Sequence, residues 1–224
     1  MKKLNILYLL AIIAAVLGAC SSESNNSEKE KEEQKNNIEG VHKKAESKGD
    51  QKIGSDATDF ATFFNESLVD KDSDVIEEAV DAIIHPEKGV FLLHRPGAIN
   101  KPEYCEGVED IKAVRESIVD DFTNIQAKVK KGNLPFYDCI SFDKEGSYFK
   151  RHGNDGIVEK AYKDMADMMY VEVPEEKYEK AREADEAIEI TVVSTNAAFQ
   201  LGFGKIDEKW YLILVDIAAF DCGA

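Results

Sequence analysis

Asp70, Asp72 and Asp74 alternate in the stretch "DKDSD", between two segments whose apolar residues recur at helical spacing. Alternating carboxylates are how a calcium loop begins, because oxygen ligands then converge on a hard cation. The rest of the loop departs from that pattern. Its sixth position is Val75, where the sharp turn needs glycine, and its twelfth is Asp81, where a bidentate Glu is usual. Asp74 with Glu77 three residues later instead makes a helix start, so capping is the reading adopted and no metal is expected. Elsewhere the chain has no G-x-S-x-G, no H-E-x-x-H, no phosphate-binding glycine loop and no C-x-x-C. Nothing nominates a nucleophile, and no cofactor is expected.

Cys20 stands apart from this search, at a seam where a greasy stretch turns polar. Lys2 and Lys3 precede a short apolar run, Leu4 to Val16, and then the small residues Gly18 and Ala19. Charge, apolar run and small residues in that order describe a cleavable signal peptide over residues 1–19. A membrane span would need about 20 apolar residues. Leu17-Gly18-Ala19-Cys20 resembles the bacterial lipoprotein box, which implies that Cys20 becomes the lipidated first residue of the mature chain. Several acyl chains hold a protein stably at a bilayer where one holds it marginally. The expectation is a cell-envelope protein anchored by its lipid, at the outer membrane in preference to the inner, since Ser21 and Ser22 permit outward sorting.

Residues 20–55 form a polar tether with no aromatic residue and too few aliphatics to offset the entropy of ordering. As a coil its 35 residues after Cys20 span roughly 30–35 Å. Residues 56–224 are enough for one domain with a core of its own. They carry 19 basic and 36 acidic side chains, a net charge of −17. So acidic a domain should repel nucleic acid and anionic lipid.

The elements that must position any site follow from periodicity. Phe60, Phe64 and Leu68, then Val75, Ile76, Val80 and Ile84, predict two helices. "VFLLHR" predicts a strand after the Pro86–Gly89 turn, and a third helix is expected from Val108 to Phe122. "PFYDCISFDKEGSYFKR" reads as a hairpin of two aromatic-rich strands. Residues 154–186 read as helical, with Ile157, Ala161, Tyr162, Met165 and Met168 on one face and a break at Pro174. The end reads as a meander of three strands whose last two meet at Asp207-Glu208.

Strand parity places Phe199, Leu201 and Phe203 on one face and Ala198, Gln200, Gly202 and Gly204 on a lean opposite one. The last strand is apolar on both faces, Tyr211-Ile213-Val215 against Trp210-Leu212-Leu214, so something covers each side. The helices of 154–186 are expected to be that cover, with a second copy of the chain as the alternative. The fold class is therefore α+β: N-terminal helices on a mainly antiparallel sheet, with an extra helical insertion.

This order of elements, clearest over residues 57–84 and in "FGKIDEKWYLILVDI", resembles the nuclear transport factor 2-like cone. With the lipobox, "PFYDC" and "FDCGA" also look like lipoproteins of Bacteroidetes-type bacteria. The cone implies a curved sheet and a pocket between helices and sheet. It hosts enzymes, carriers and interaction modules alike, so it does not settle function. Its enzymes, such as ketosteroid isomerase, set carboxylates and tyrosines in an apolar pocket. The comparable groups here are Asp216, Asp138, Tyr137, His94 and His85, none with a partner at a diagnostic spacing.

Cys105, Cys139 and Cys222 allow at most one internal disulfide outside the cytoplasm. Cys139–Cys222 would pin the C-terminus to the sheet; Cys105 with either, or three free thiols, are the alternatives. Two function classes remain. One is a non-enzymatic lipoprotein whose domain binds a small apolar ligand or a partner protein. The other is an acid–base pocket enzyme of the isomerase, dehydratase or hydrolase kind.

Overall fold

The computed structural model describes residues 48–153 and 155–222. The signal segment, Cys20 and the first part of the tether lie outside the described residues. Helix α1 (Lys48–Leu68) starts inside the stretch that composition assigns to the tether. Phe60, Phe64 and Leu68, four residues apart, stack along one side of it and are fully buried. Helix α2 is short (Ile76–Asp81), and Val75 occupies its N-cap with no side-chain cap bond. The Asp74–Glu77 cap is therefore not formed. The backbone carbonyl of Asp72 takes the N–H groups of Val75 and Ile76 at 3.1 and 3.0 Å, so a backbone turn starts the helix. Glu77 reaches across to Lys112 at 2.9 Å.

The third helix expected over 108–122 is two helices, α3 (Val108–Val114) and α4 (Ser117–Asp121), followed by a 3₁₀ turn at Phe122–Asn124. Arg115 between them is extended, with φ −157° and ψ 108°. Periodicity could not see this break, because Ile111, Ile118 and Phe122 stay in helical phase across it and all three are buried.

Among the described residues seven strands make one sheet: β1 (Val90–His94), β2 (Lys101–Cys105), β3 (Lys130–Lys131), β4 (Ser147–Arg151), β5 (Ile190–Ser194), β6 (Phe199–Ile206) and β7 (Lys209–Asp216). Their order is β2-β1-β7-β6-β5-β4-β3. The β1–β7 and β3–β4 pairs are parallel and the others antiparallel. The architecture is α+β, an open, mainly antiparallel sheet with helices. The expected hairpin at 135–151 does not form. Asp138 folds its own loop back by accepting the N–H groups of Ile140 and Ser141 at 2.9 and 2.8 Å. Only a single Tyr137–Phe142 bridge results, and β4 pairs with β5 and β3 instead.

Both faces of the sheet are covered. Helices α1 to α4 lie on one core with Phe149, Leu201, Phe203, Trp210 and Val215. Helices α5 (Ile157–Met169) and α6 (Glu175–Ala187) lie on the other with Phe91, Leu93, Ile213 and Leu214. The insertion, and not a second copy, covers the second face of β7. The parity expected for β7 slips by one residue. A bulge at Gly202/Phe203 sets Phe203 opposite Leu212 but Gly202 opposite Leu214, leaving Ile213 as the extra residue. Ile213 and Leu214 thus both face α5 and α6, while Leu212 and Val215 face α1. At the far end, Asp207 and Glu208 form the tight β6–β7 turn, both at positive φ (49° and 63°).

Candidate functional site

The two faces are filled differently, and that difference makes the site. Beneath α1 the rings of Phe60, Phe64, Phe149, Phe203 and Trp210 sit 5.1–6.0 Å apart, centroid to centroid. Each buried ring of this size stabilises by about 1.5–3 kcal/mol, and the cluster fills the space. Beneath α6 the contact residues are small. Ala181, Ala184 and Ala187 recur every third position and point at the sheet. The lean face of β6 receives the helix end. A Cβ on Gly204 would stand 2.0 Å from the Ala187 carbonyl oxygen, and one on Gly202 would stand 2.9 Å from Ile188 Cδ1. Small residues on both sides draw the C-terminal end of α6 close to β6. Toward β7, β1 and β2 the alanine face fills less, and a cleft of about 500 Å³ opens.

Phe91, Ala184, Ile206 and Ile213 make the apolar wall of this cleft, and Tyr104 and Tyr211 stand at its sides. The rim is charged: Lys88 Nζ lies 3.5 Å from Glu183 Oε2, and Lys180 Nζ lies 4.5 Å from the centre of the Tyr104 ring. His85 faces Tyr211 edge-on at 4.8 Å. Its Nδ1 accepts the N–H groups of Glu87 and Lys88 at 3.1 and 3.2 Å, which places any neutral ring proton on Nε2. Gly89 closes that turn at φ +59°, and a Cβ there would lie 2.8 Å from the Tyr104 hydroxyl. Glycine thus lets the hydroxyl lie flat against the backbone. Burial, with Glu106 nearby, holds the Tyr104 hydroxyl above its ordinary pKa.

The acid–base candidates do not converge here. Asp216 ends β7, is 6% exposed, and is not part of the cleft wall. Burial pushes its carboxyl up to about 6, against the pull of the Ala218 and Ala219 N–H groups and of Arg95. Its Oδ1 accepts the Ala218 N–H at 2.9 Å. His94 ends β1, with Nε2 3.9 Å from Glu103 Oε1; burial lowers its pKa while Glu103 opposes the shift. Asp138 is held in its own turn, where the backbone N–H groups of Ser141 and Ile140 lower its pKa. Tyr137 packs on Phe142 and Phe220. Of the groups weighed from sequence, His85 alone lines the cleft.

Among the described residues no three acidic, His or Cys side chains gather as a metal site, Asp70, Asp72 and Asp74 included. Cys139 and Cys222 form a disulfide with Cα atoms 5.6 Å apart. Cys105 is buried and unpaired, its thiol pushed up to about 12 by burial. Tyr104, Lys180 and Tyr211 were missed in the sequence. The available signal was the alanine spacing of α6 opposite two strand glycines, which marks a helix lying close on a sheet with little to fill the remaining space. In comparisons with known proteins, no family model, curated protein or solved structure matches the chain.

Proposed function

We propose that this chain is a membrane-anchored lipoprotein of the cell envelope whose domain binds a small, largely apolar ligand in the α6 cleft without transforming it. The cleft carries the reading: apolar walls, two tyrosines and a charged rim describe a binding site. Of the acid–base candidates, Asp216, Asp138 and His94 stand elsewhere, and His85 lines the cleft with its Nδ1 taken by the Glu87 and Lys88 N–H groups. The anchor rests on Lys2-Lys3, the apolar run and Leu17-Gly18-Ala19-Cys20.

N-phenyl-1-naphthylamine, a neutral probe that fluoresces in apolar sites, tests the cleft. The chain should bind it saturably, and Ala184→Phe, which places a ring in the cavity, should weaken binding by about tenfold. Equal binding by the two chains rejects the site. Cys20→Ser tests the anchor separately: the protein should move from the membrane to the soluble fraction and lose its acyl mass.

One observation supports partner binding as a second reading. Met168, Met169, Tyr170 and Val171, where α5 ends, are 59, 53, 95 and 42% exposed. A run of four exposed apolar residues is a contact surface in the making. Tyr170→Ser with Met169→Ser should release such a partner and leave the naphthylamine titration unchanged.

A further inference from the structure

The acidity of the domain is not evenly spread. Residues 128–151 carry six basic and three acidic side chains, a net +3, where the rest of 56–224 sums to −20. The fold gathers these cations on one sheet edge. β3 is the terminal strand and pairs with β4 at Lys130–Tyr148 and Lys131–Phe149. Lys144 and Lys130 lie 4.3 and 5.9 Å from the centre of the Tyr148 ring.

Between this edge and the start of α1 lies a second cleft of about 360 Å³. Lys131, Lys150 and Arg151 line it over an apolar floor of Phe149, Ile190 and Trp210. All three cations are exposed, and among residues 56–153 and 155–222 none pairs with a carboxylate. Of the two carboxylates in the wall, Asp56 is taken by Lys205 at 3.8 Å, leaving Glu189. The α6 cleft, by contrast, has more carboxylates than cations around it.

The position of this cleft matters as much as its charge. Asp56 and Ala57 of α1 belong to its wall. The helix starts at Lys48, so the preceding chain ends about 12 Å away along the helix axis. The chain between Cys20 and Lys48 is long enough to bridge roughly 30 Å. Taking Cys20 as the anchor, as proposed above, the membrane lies within reach of this edge. The domain's net charge does not forbid the approach. At physiological salt, charges more than about 8 Å from a surface are largely screened from it. What counts is the charge on the face presented, and basic clusters next to an anchor are drawn to anionic leaflets.

We infer that the β3–β4 edge, with the cation-lined cleft beside α1, is the face this domain seats on anionic phospholipid headgroups. Lys131, Lys150 and Arg151 take the headgroup phosphates, while Phe149, Ile190 and Trp210 stay buried in the core beneath them. The broad expectation that the acidic domain repels anionic lipid then holds for the other faces.

Trp210 is the one tryptophan of the chain and lies in this cleft, which supplies the reporter. The acylated full chain is reconstituted into vesicles of phosphatidylcholine alone or mixed with phosphatidylglycerol, each with a dansyl-headgroup lipid. Energy transfer from Trp210 should be roughly twofold higher on the mixed vesicles. About 0.5 M salt should remove the difference, as should the combined K131E, K150E and R151E variant. A charge-matched variant with K71E, K160E and K209E should keep it. Equal transfer on both compositions, or equal loss in both variants, overturns the inference. So does a saturable Trp210 response to inorganic phosphate with no preference between vesicles, which would make the cleft a free-anion site. Flotation reports the anchor independently, with Cys20→Ala alongside. A chain that floats on both compositions without a transfer difference keeps its anchor and loses this face. One that floats only with phosphatidylglycerol keeps the face and loses the anchor.

Discussion

Under α1 the sheet meets phenylalanine; under α6 it meets alanine. Both faces belong to the same strands, and β7 contributes Leu212 and Val215 to one and Ile213 and Leu214 to the other. The α1 face has its rings in contact at 5.1–6.0 Å, while the α6 face keeps a cleft of about 500 Å³. The ring cluster under α1 holds the domain together, with a cleft beside the start of that helix, whereas under α6 the cleft lies between helix and sheet. A protein that needed only stability would gain by filling both, since apolar area removed from water stabilises at about 25 cal/mol per Å².

The contrast breaks most sharply at Phe60. Its ring packs against five others, so Phe60→Ala should cost about 3–5 kcal/mol and lower the melting temperature by roughly 10 °C. Urea unfolding at constant slope would show it. A loss under about 1 kcal/mol would mean the α1 face is loosely packed and the comparison wrong.

Next in size is Asp216, on the strand the two faces share. Its folded-state pKa, about 6, lies above the value near 3.9 of an unfolded chain. Between those values the folded state holds the extra proton, so this group's contribution to stability falls as pH rises from about 4 to about 6. Asp216→Asn keeps an acceptor for the Ala218 N–H and removes the buried charge. It should raise stability by up to about 3 kcal/mol at neutral pH and change nothing below pH ~4. A variant gaining equally at both pH values would show that its effect is not ionisation.

Gly204 tests how closely α6 is held. A methyl group there would meet the Ala187 carbonyl oxygen at 2.0 Å and Ile213 Cδ1 at 2.8 Å. Gly204→Ala should therefore displace the helix end at a cost of about 1–3 kcal/mol and weaken naphthylamine binding as the cleft deforms. Hydrogen exchange in 184–188 should quicken while that in α1 stays as it was.

What could be read from the sequence followed the strength of local signals. The β5–β6–β7 meander was legible because Phe199, Leu201 and Phe203 alternate with lean residues and Asp207-Glu208 interrupts them. The bulge at Ile213 was not, since a strand apolar on both sides looks the same before and after a one-residue slip. β2 went unread because "KPEYC" has no alternation, and Pro102 is tolerated there only because the strand is a sheet edge. β3 is two lysines, too short for any pattern. The site was the least legible part. A cleft is a failure of two surfaces to fill the space between them, and it needs the pairing of α6 with β6 and β7, which are adjacent in space but specified separately in sequence. Alanine spacing in α6 and the glycines of β6 were each visible alone. Only the fold puts them face to face.

Ala184→Leu should have the smallest effect on stability and the most to say about the comparison. Ala184 is buried at the edge of the cavity, so added methyl groups enter empty space where, under α1, they would force rings apart. The extra burial and the restricted rotamers nearly offset, and the melting temperature should move by no more than about 2 °C. Ligand binding should nonetheless fall, because the methyl groups occupy volume the naphthylamine probe needs. A mutation that is quiet in unfolding and loud in binding is the signature of a cavity kept open. If Ala184→Leu instead destabilised as much as Phe60→Ala, the α6 face would be a packed core like its counterpart. The case for a ligand there would then be lost.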